Sequence, residues 1–306
     1  MGRLCAFRSE RPFVQRSTPR VMRSTPTTNG EAFAVGHVFT SEPMKVFIED
    51  TDTYGVVYNA NYLKFYDRAL FAAGSSFDGG GVLISVGNQK FRSSPGLGDD
   101  FVIEGVLKDT DDADRQVWDL SMKSLDGNIV FHSAEDVIVV VAPNAPGWLT
   151  PQDPFGNSGM EARSDSFLAF RDEFDPSMLS HLPLTSVLNH MERPRTNVLG
   201  GPKALRQLKD DDDILIVVSG IKDLCLLDHN KDVLIGDRLT VQTFCEIYKG
   251  GMKTDVYQTL YNSNGERVAQ GIVTLLALNK KTFRPTSKIP EHVMDKIRRN
   301  GVNYNY

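Results

Sequence analysis

Gly98-Asp99-Asp100-Phe101-Val102-Ile103-Glu104-Gly105-Val106-Leu107 and Gly236-Asp237-Arg238-Leu239-Thr240-Val241-Gln242-Thr243-Phe244-Cys245-Glu246-Ile247 read as two versions of one phrase, a Gly-Asp turn opening into a strand. The second Gly-Asp follows the first by 138 residues, and Asn264-Gly265 follows Asp126-Gly127 by the same interval. Asp-Gly and Asn-Gly between apolar runs predict two-residue hairpins of type I′, whose positive φ angles these residues tolerate. Unrelated segments seldom share two such landmarks at one spacing, so the chain carries an internal repeat.

Each copy fills the interval in the same way. A strand follows the Gly-Asp turn, then a second strand (residues 116–123 or 255–261), the tight turn, and a long Val/Ile/Leu-rich strand (129–141 or 267–278). Upstream of the first sheet run, Tyr58, Tyr62, Phe65, Ala69 and Ala73 recur at helical spacing, with Gly74 as a stop. The second copy has a helical run over 184–199 ending at Gly200-Gly201, which Pro194 is expected to kink or split. Thirteen extra residues follow that helix, and the acidic run Asp210 to Asp213 falls among them. Short first strands are predicted at 45–49 and 168–173. The fold class expected is α+β: two modules in tandem, each an antiparallel sheet wrapped around one helix to bury both apolar faces. Joining the two sheets edge to edge would hide an exposed strand edge and make a pseudo-dimer within one chain. The expected division is a tail over 1–39, modules over 40–142 and 165–282, a Pro/Gly-rich linker over 143–164, and a tail over 283–306.

Composition narrows the function. The 306 residues are 41% hydrophobic and 24% charged, with a net charge of -5, which offers no basic footprint for nucleic acid. Cys5, Cys225 and Cys245 have neither disulfide-framework nor zinc spacing, and no apolar run is long enough to span a bilayer. The first thirty residues hold six arginines, seven Ser or Thr and one acid, Glu10, a bias typical of a plastid or mitochondrial transit peptide; an unaddressed tail is the plainer reading. No G-x-S-x-G elbow, P-loop or H-E-x-x-H occurs, and Gly79-Gly80-Gly81 is no dinucleotide fingerprint. Neither a metal nor a cofactor is expected.

The chemistry is concentrated in Glu49-Asp50-Thr51-Asp52-Thr53-Tyr54-Gly55-Val56-Val57-Tyr58-Asn59-Ala60-Asn61-Tyr62-Leu63. This stretch resembles the D-x-D-x-x-G-x-V-x-x-x-x-Y signature of the 4-hydroxybenzoyl-CoA thioesterase family of hotdog proteins, and Asn88 to Asp99 is similar to that family's strand running into a Pro-x-x-x-Gly-Asp turn. The resemblance implies an acyl-thioester hydrolase with Asp52 as general base or nucleophile, acting on a coenzyme A or acyl carrier protein thioester. It implies an oxyanion donor in the Asn59 backbone N–H at the helix start, with Gly55 allowing close approach and Val56 and Tyr58 beside the acyl group. One carboxylate and one donor suffice because a thiolate leaves without a strong acid. The competing role for Asp52 is a helix N-cap, and Asp50 reads as a solvated strand residue. Lys90, Arg92 and Ser94 are candidates for the coenzyme A phosphates, or are simply solvated.

The second copy keeps Asp175 but lacks the glycine and is two residues longer before its helix. Asp175 and His181 are the candidates for a second site; the alternative is a structural half. For the whole chain the alternatives are a non-catalytic hotdog subunit that binds acyl groups or serves as a scaffold, and a hotdog dehydratase, for which no supporting motif is present. An aryl-CoA such as a naphthoyl-CoA, a fatty acyl chain or a polyketide would each suit the family, and homo-oligomers of the tandem chain are compatible with it.

Overall fold

The computed structural model describes residues 33–52, 54–73, 82–111, 115–140, 162–174, 181–298 and 302–304. The arginine-rich segment, most of the linker, Gly74 and Asp175 lie outside them.

The first module runs β1 (Val38–Thr40), β2 (Met44–Lys45), α1 (Asn61–Ala72), β3 (Val82–Phe91), β4 (Asp100–Asp111), β5 (Arg115–Ser124) and β6 (Val130–Val140). The second runs β7 (Arg163–Leu168), α2 (Leu184–Val198), α3 (Gly201–Asp210), β8 (Ile214–Leu226), β9 (Arg238–Tyr248), β10 (Lys253–Tyr261) and β11 (Arg267–Asn279), and then α4 (Glu291–Arg298) and β12 (Val302–Tyr304). The segment read as a C-terminal tail thus contains a helix and a strand. All strands form one sheet in the order β1-β4-β5-β6-β3-β8-β11-β10-β9-β12, with β2 on β4 and β7 on β9. Pairing is antiparallel throughout except between β12 and β9. The modules join where β3 meets β8, with Val86 opposite Leu224 and Gln89 opposite Ile221. This is the tandem hotdog architecture, with the two sheets continuous across the seam.

The Gly-Asp turns are the same object twice. Gly98 and Gly236 take φ of +88° and +89°, open to glycine at little cost. In each turn the Asp carboxylate accepts a backbone N–H three residues back, from Gly96 to Asp99 at 2.8 Å and from Leu234 to Asp237 at 2.9 Å. The hairpin turns differ from expectation. Asp126 and Asn264 keep negative φ, and only Gly127 and Gly265 are left-handed, so neither turn is type I′. The Ser124 N–H closes on Ile129 O and the Asn262 N–H on Glu266 O, giving loops longer than two residues.

Strand alternation buries Phe101, Ile103, Trp118, Leu120 and Met122 against α1, whose Tyr62, Phe65, Tyr66, Ala69 and Leu70 are also buried. Phe65 meets Phe101 edge-on with ring centroids 4.8 Å apart. Each such side chain contributes about 1.5–3 kcal/mol on burial. Residues 48–50 and 171–173 were expected to be strand; both are single 3-10 turns. The cause is a short-range capture: the Phe47 N–H donates to the Asp50 carboxylate at 3.0 Å and the Phe170 N–H to Glu173 at 2.8 Å, which curls the chain before it can pair. Asp50 is therefore buried, not solvated.

Pro194 neither kinks α2 into two pieces nor ends it. Its missing N–H leaves the His190 carbonyl without its helical bond, but Met191, Pro194 and Val198 face the core, and the fully buried Gln258 of β10 braces the turn beside it. Its Nε2 donates to Met191 O at 2.8 Å, and its Oε1 accepts from Arg195 at 3.0 Å.

Candidate functional site

Asp52 sits at the tip of a tight hairpin. Thr51 bridges Val57, the Asp52 N–H donates to Val56 O at 2.8 Å, and the Gly55 N–H donates to Asp52 O at 3.0 Å. Gly55 has φ +75°, and a Cβ there would meet nothing within 4 Å. The turn thus needs its left-handed backbone. The hairpin is fastened to the Gly98-Asp99 turn, with the Val57 N–H on Pro95 O and the Leu97 N–H on Gly55 O. The two motifs separated in sequence are therefore one structural unit.

Asp52 is not the helix cap: α1 begins at Asn61 after Ala60. Its carboxylate instead accepts the Tyr54 N–H at 2.7 Å. Partial burial pushes the Asp52 carboxyl above its ordinary range; the Tyr54 and Val56 backbone N–H groups and the charge of Lys209 oppose that rise without cancelling it. A carboxylate so placed is a better base than a solvated one.

The hairpin forms one wall of a cavity of about 690 Å³. Asp52, Val56 and Asn59 line it, with Phe91 at the end of β3 and Arg92 and Ser94 just beyond it. The opposite wall comes from the second module: Leu215 to Ser219 of β8, Leu276 and Leu278 of β11, and the cations Lys209 and Lys280. The interior is largely apolar, and of its lining cations Lys209 acts on Asp52. Asn59 lies two residues ahead of the helix, and its Oδ1 is buried with no hydrogen-bond partner among the described residues. Such an oxygen is free to accept a hydrogen bond from a ligand.

Five of the residues singled out from sequence come together here: Asp52, Val56, Asn59, Arg92 and Ser94. Three do not line the cavity. Gly55 shapes the turn. Tyr58 is pushed up to about 12 by burial and by Glu192, and lies toward α2. Lys90 projects with Asn88 onto Glu135, 2.7 Å from its carboxylate. Sequence reading missed Lys209, Lys280 and the β8 wall. The signal for Lys209 was the thirteen-residue excess after the second helix, part of which falls between α2 and β8, where α3 lies.

The pseudo-equivalent position holds a second cavity of about 540 Å³, lined by Leu63, Lys64, Arg68, Val82 and Leu83 of the first module and by Asp172, Glu173, His181 and Arg193 of the second. It is more polar. Burial works against ionisation of Glu173, but the Phe170 N–H, Arg193 and His190 outweigh it and hold the carboxyl below its usual range. Arg193 reaches Glu173 at 2.7 Å and His190 Nε2 lies 3.1 Å from it. Among the described residues, His229, Asp232 and Glu266 form a surface group with metal-ligand proximity, and none of the three lines either cavity. No helix of the described residues is long and apolar enough to cross a membrane.

Residues 54–130 match the family model described as the thioesterase superfamily. No curated protein sequence matches the chain. Among solved structures, a protein assigned as an oleoyl thioesterase from Lactobacillus plantarum superposes with TM-score 0.57 at 10% identity, covering 79% of this chain and 97% of its own. The 12:0-ACP thioesterase of Umbellularia californica gives 0.53 at 10% identity, covering 78% and 94%. An acyl-ACP thioesterase from Bacteroides thetaiotaomicron gives 0.51 at 12% identity, covering 78% and 97%. At these identities the superpositions speak to fold, and they span both halves of the chain. Residues 54–130 of this chain are thus similar to the thioesterase superfamily, and the chain as a whole has the tandem hotdog fold.

Proposed function

We propose that the chain hydrolyses an acyl thioester, releasing a carboxylic acid from coenzyme A or an acyl carrier protein, at the cavity between the Asp52 hairpin and β8. The observation that carries this reading is a half-buried carboxylate, raised toward neutrality, in the wall of a largely apolar cavity. An acyl group fits the apolar walls, and Arg92, Lys209 and Lys280 suit an anionic carrier at the mouth.

In the reaction, the Asp52 carboxylate takes a proton from water as the oxygen adds to the thioester carbonyl carbon. The carbonyl π electrons move onto oxygen, and the Asn59 backbone N–H or side-chain amide donates to that oxyanion. When the carbonyl re-forms, the C–S bond breaks and sulfur leaves with the pair. The proton held by Asp52 passes to the thiolate, which restores the base. Asp52 acting directly as nucleophile is the other route the same position allows.

The test is thiol release from a panel of acyl-CoA and acyl carrier protein thioesters. Asp52→Asn keeps the shape and should lower turnover by about 100-fold or more, the scale of a general base, whereas Asp175→Asn should do far less. A wild-type chain that binds acyl thioesters and turns none over is a binding or scaffold subunit. An inactive Asp175→Asn beside an active Asp52→Asn places the chemistry in the other module.

A further inference from the structure

The two cavities are related by the repeat but differ in one added part. Nine residues separate α1 from β3, whereas fifteen separate α2 from β8 and include the ten-residue helix α3. That helix reaches back across the seam. Lys209, in its last turn, lines the same cavity as Asp52, and its ammonium lies 4.7 Å from the centroid of the Tyr54 ring. Tyr54 is the residue whose N–H holds the Asp52 carboxylate. The end of α3 is pinned there: Lys280 Nζ donates to Lys209 O at 3.1 Å, and the Lys280 N–H donates to Asp213 O at 2.7 Å. The apolar side of α3, Ala204 and Leu208, is buried, so its last turn cannot swing freely.

We propose that Lys209 is a positioning residue supplied by the second module, which holds the Asp52 hairpin through the Tyr54 ring and sets the charge of the Asp52 carboxylate. The inserted helix is then a working part of the first site. The charged and titratable groups that act on Asp52 are Lys209 at the end of α3 and the hydroxyls of Tyr54, Tyr58 and Tyr62; Arg92 after β3 and Lys280 after β11 line the same cavity, and Asp210 acts on Tyr54. A cation over the Tyr54 face gains from the ring quadrupole, and the same ammonium favours the ionised form of the adjacent carboxylate. Losing it leaves desolvation less opposed. The role of this charge in turnover rests on the reading of Asp52 as the reacting carboxylate; its effect on the titration of Asp52 does not.

The experiment therefore reads both. The intact chain, labelled with carboxyl-13C aspartate, is titrated by NMR, with the Asp52 resonance identified by its loss in Asp52→Asn. The Asp52 midpoint should move up by about half a pH unit in Lys209→Met, the scale of one partly screened opposite charge, and should stay near the wild-type value in Lys209→Arg. Circular dichroism and thermal melting confirm that α3 is intact in both variants. An unmoved midpoint in a folded Lys209→Met overturns the proposal. In parallel, the acid limb of kcat/KM for the best thioester of the panel should shift by the same amount. A midpoint that moves while the limb stays fixed upholds the action of Lys209 on Asp52 and removes Asp52 from the chemistry.

Discussion

Val86 of β3 is paired with Leu224 of β8 across the seam between the modules. The pair lies within the short stretch, Ser85 to Lys90, over which the two modules join, so a pseudo-twofold axis relating the modules passes through that stretch. An axis there places the residues that precede either module's first helix against the first residues of the other module's long central strand, β8 or β3. That is why one cavity takes Leu215 to Ser219 and the other takes Val82 and Leu83. The symmetry of the backbone creates two cavities; the side chains and the α3 insertion make them unequal.

A catalytic carboxylate and a structural one differ in their effect on stability, and Asp52 can be assigned by that difference. Its folded pKa lies above the unfolded value, so its contribution to stability is present below the unfolded pKa and is lost as pH rises through the folded one. At pH 7 the ionised group therefore weighs against folding. Asp52→Asn, whose Oδ1 still accepts the Tyr54 N–H, should melt at the wild-type temperature or about 1–3 °C higher at pH 7. The advantage should vanish near pH 3, where both side chains are neutral. A melting temperature several degrees lower at pH 7 would make Asp52 a support of the hairpin.

What sequence reading could see followed from locality. The Gly-Asp turns, the strand alternation and the α1 stripe are written in residues close along the chain, and all are present in the structure. The Asp52 segment was legible through its resemblance to a family signature; that it forms a hairpin fastened to the turn at Gly98 was not, because Val57 N–H to Pro95 O and Leu97 N–H to Gly55 O join residues about forty apart. The opposite wall was not legible either: Leu215 to Ser219 were given no role, and nothing near them says that their partner is a loop more than 150 residues earlier. Pro194 was misread for the same reason, since its brace comes from Gln258, 64 residues on. Residues 48–50 and 171–173 went wrong in the opposite direction, because a carboxylate three residues away overrode an extended pattern.

The brace beside Pro194 has a measurable cost of removal. Gln258 is 0% exposed and Arg195 2%, and the guanidinium is shared between Gln258 and Glu192. Gln258→Ala leaves part of a buried cation and the Met191 carbonyl without partners, which should cost about 3 kcal/mol in urea unfolding. Combining it with Arg195→Met removes the stranded charge and should recover part of that loss. Additive losses in the double variant would show that the two side chains act independently.

His132 provides the clearest dependence of the fold on pH. It is fully buried on β6, with its ring 4.5 Å from those of Tyr62 and Phe91, and Tyr66 Oη lies 2.6 Å from its Nδ1. Burial pushes its pKa down to about 3, against 6.5 for the free side chain. Between these values the unfolded chain binds a proton that the folded chain refuses, so stability rises with pH across that window and is lost as pH falls from 6.5 toward 3. One proton corresponds to about 1.4 kcal/mol per pH unit. His190, also held below its ordinary value by burial, adds to the wild-type slope, so the measurement is a difference between proteins. His132→Phe keeps a ring beside Tyr62 and Phe91 and removes the titration. Its stability at pH 7 should be lower, because Tyr66 loses a partner, yet between pH 6 and 4 its unfolding free energy should fall less steeply than wild type by about 1.4 kcal/mol per unit. Parallel curves would mean that His132 takes up its proton inside the folded chain. Since Phe91 lines the cavity and touches that ring, the neutral core beneath the proposed acyl site would then be open to water.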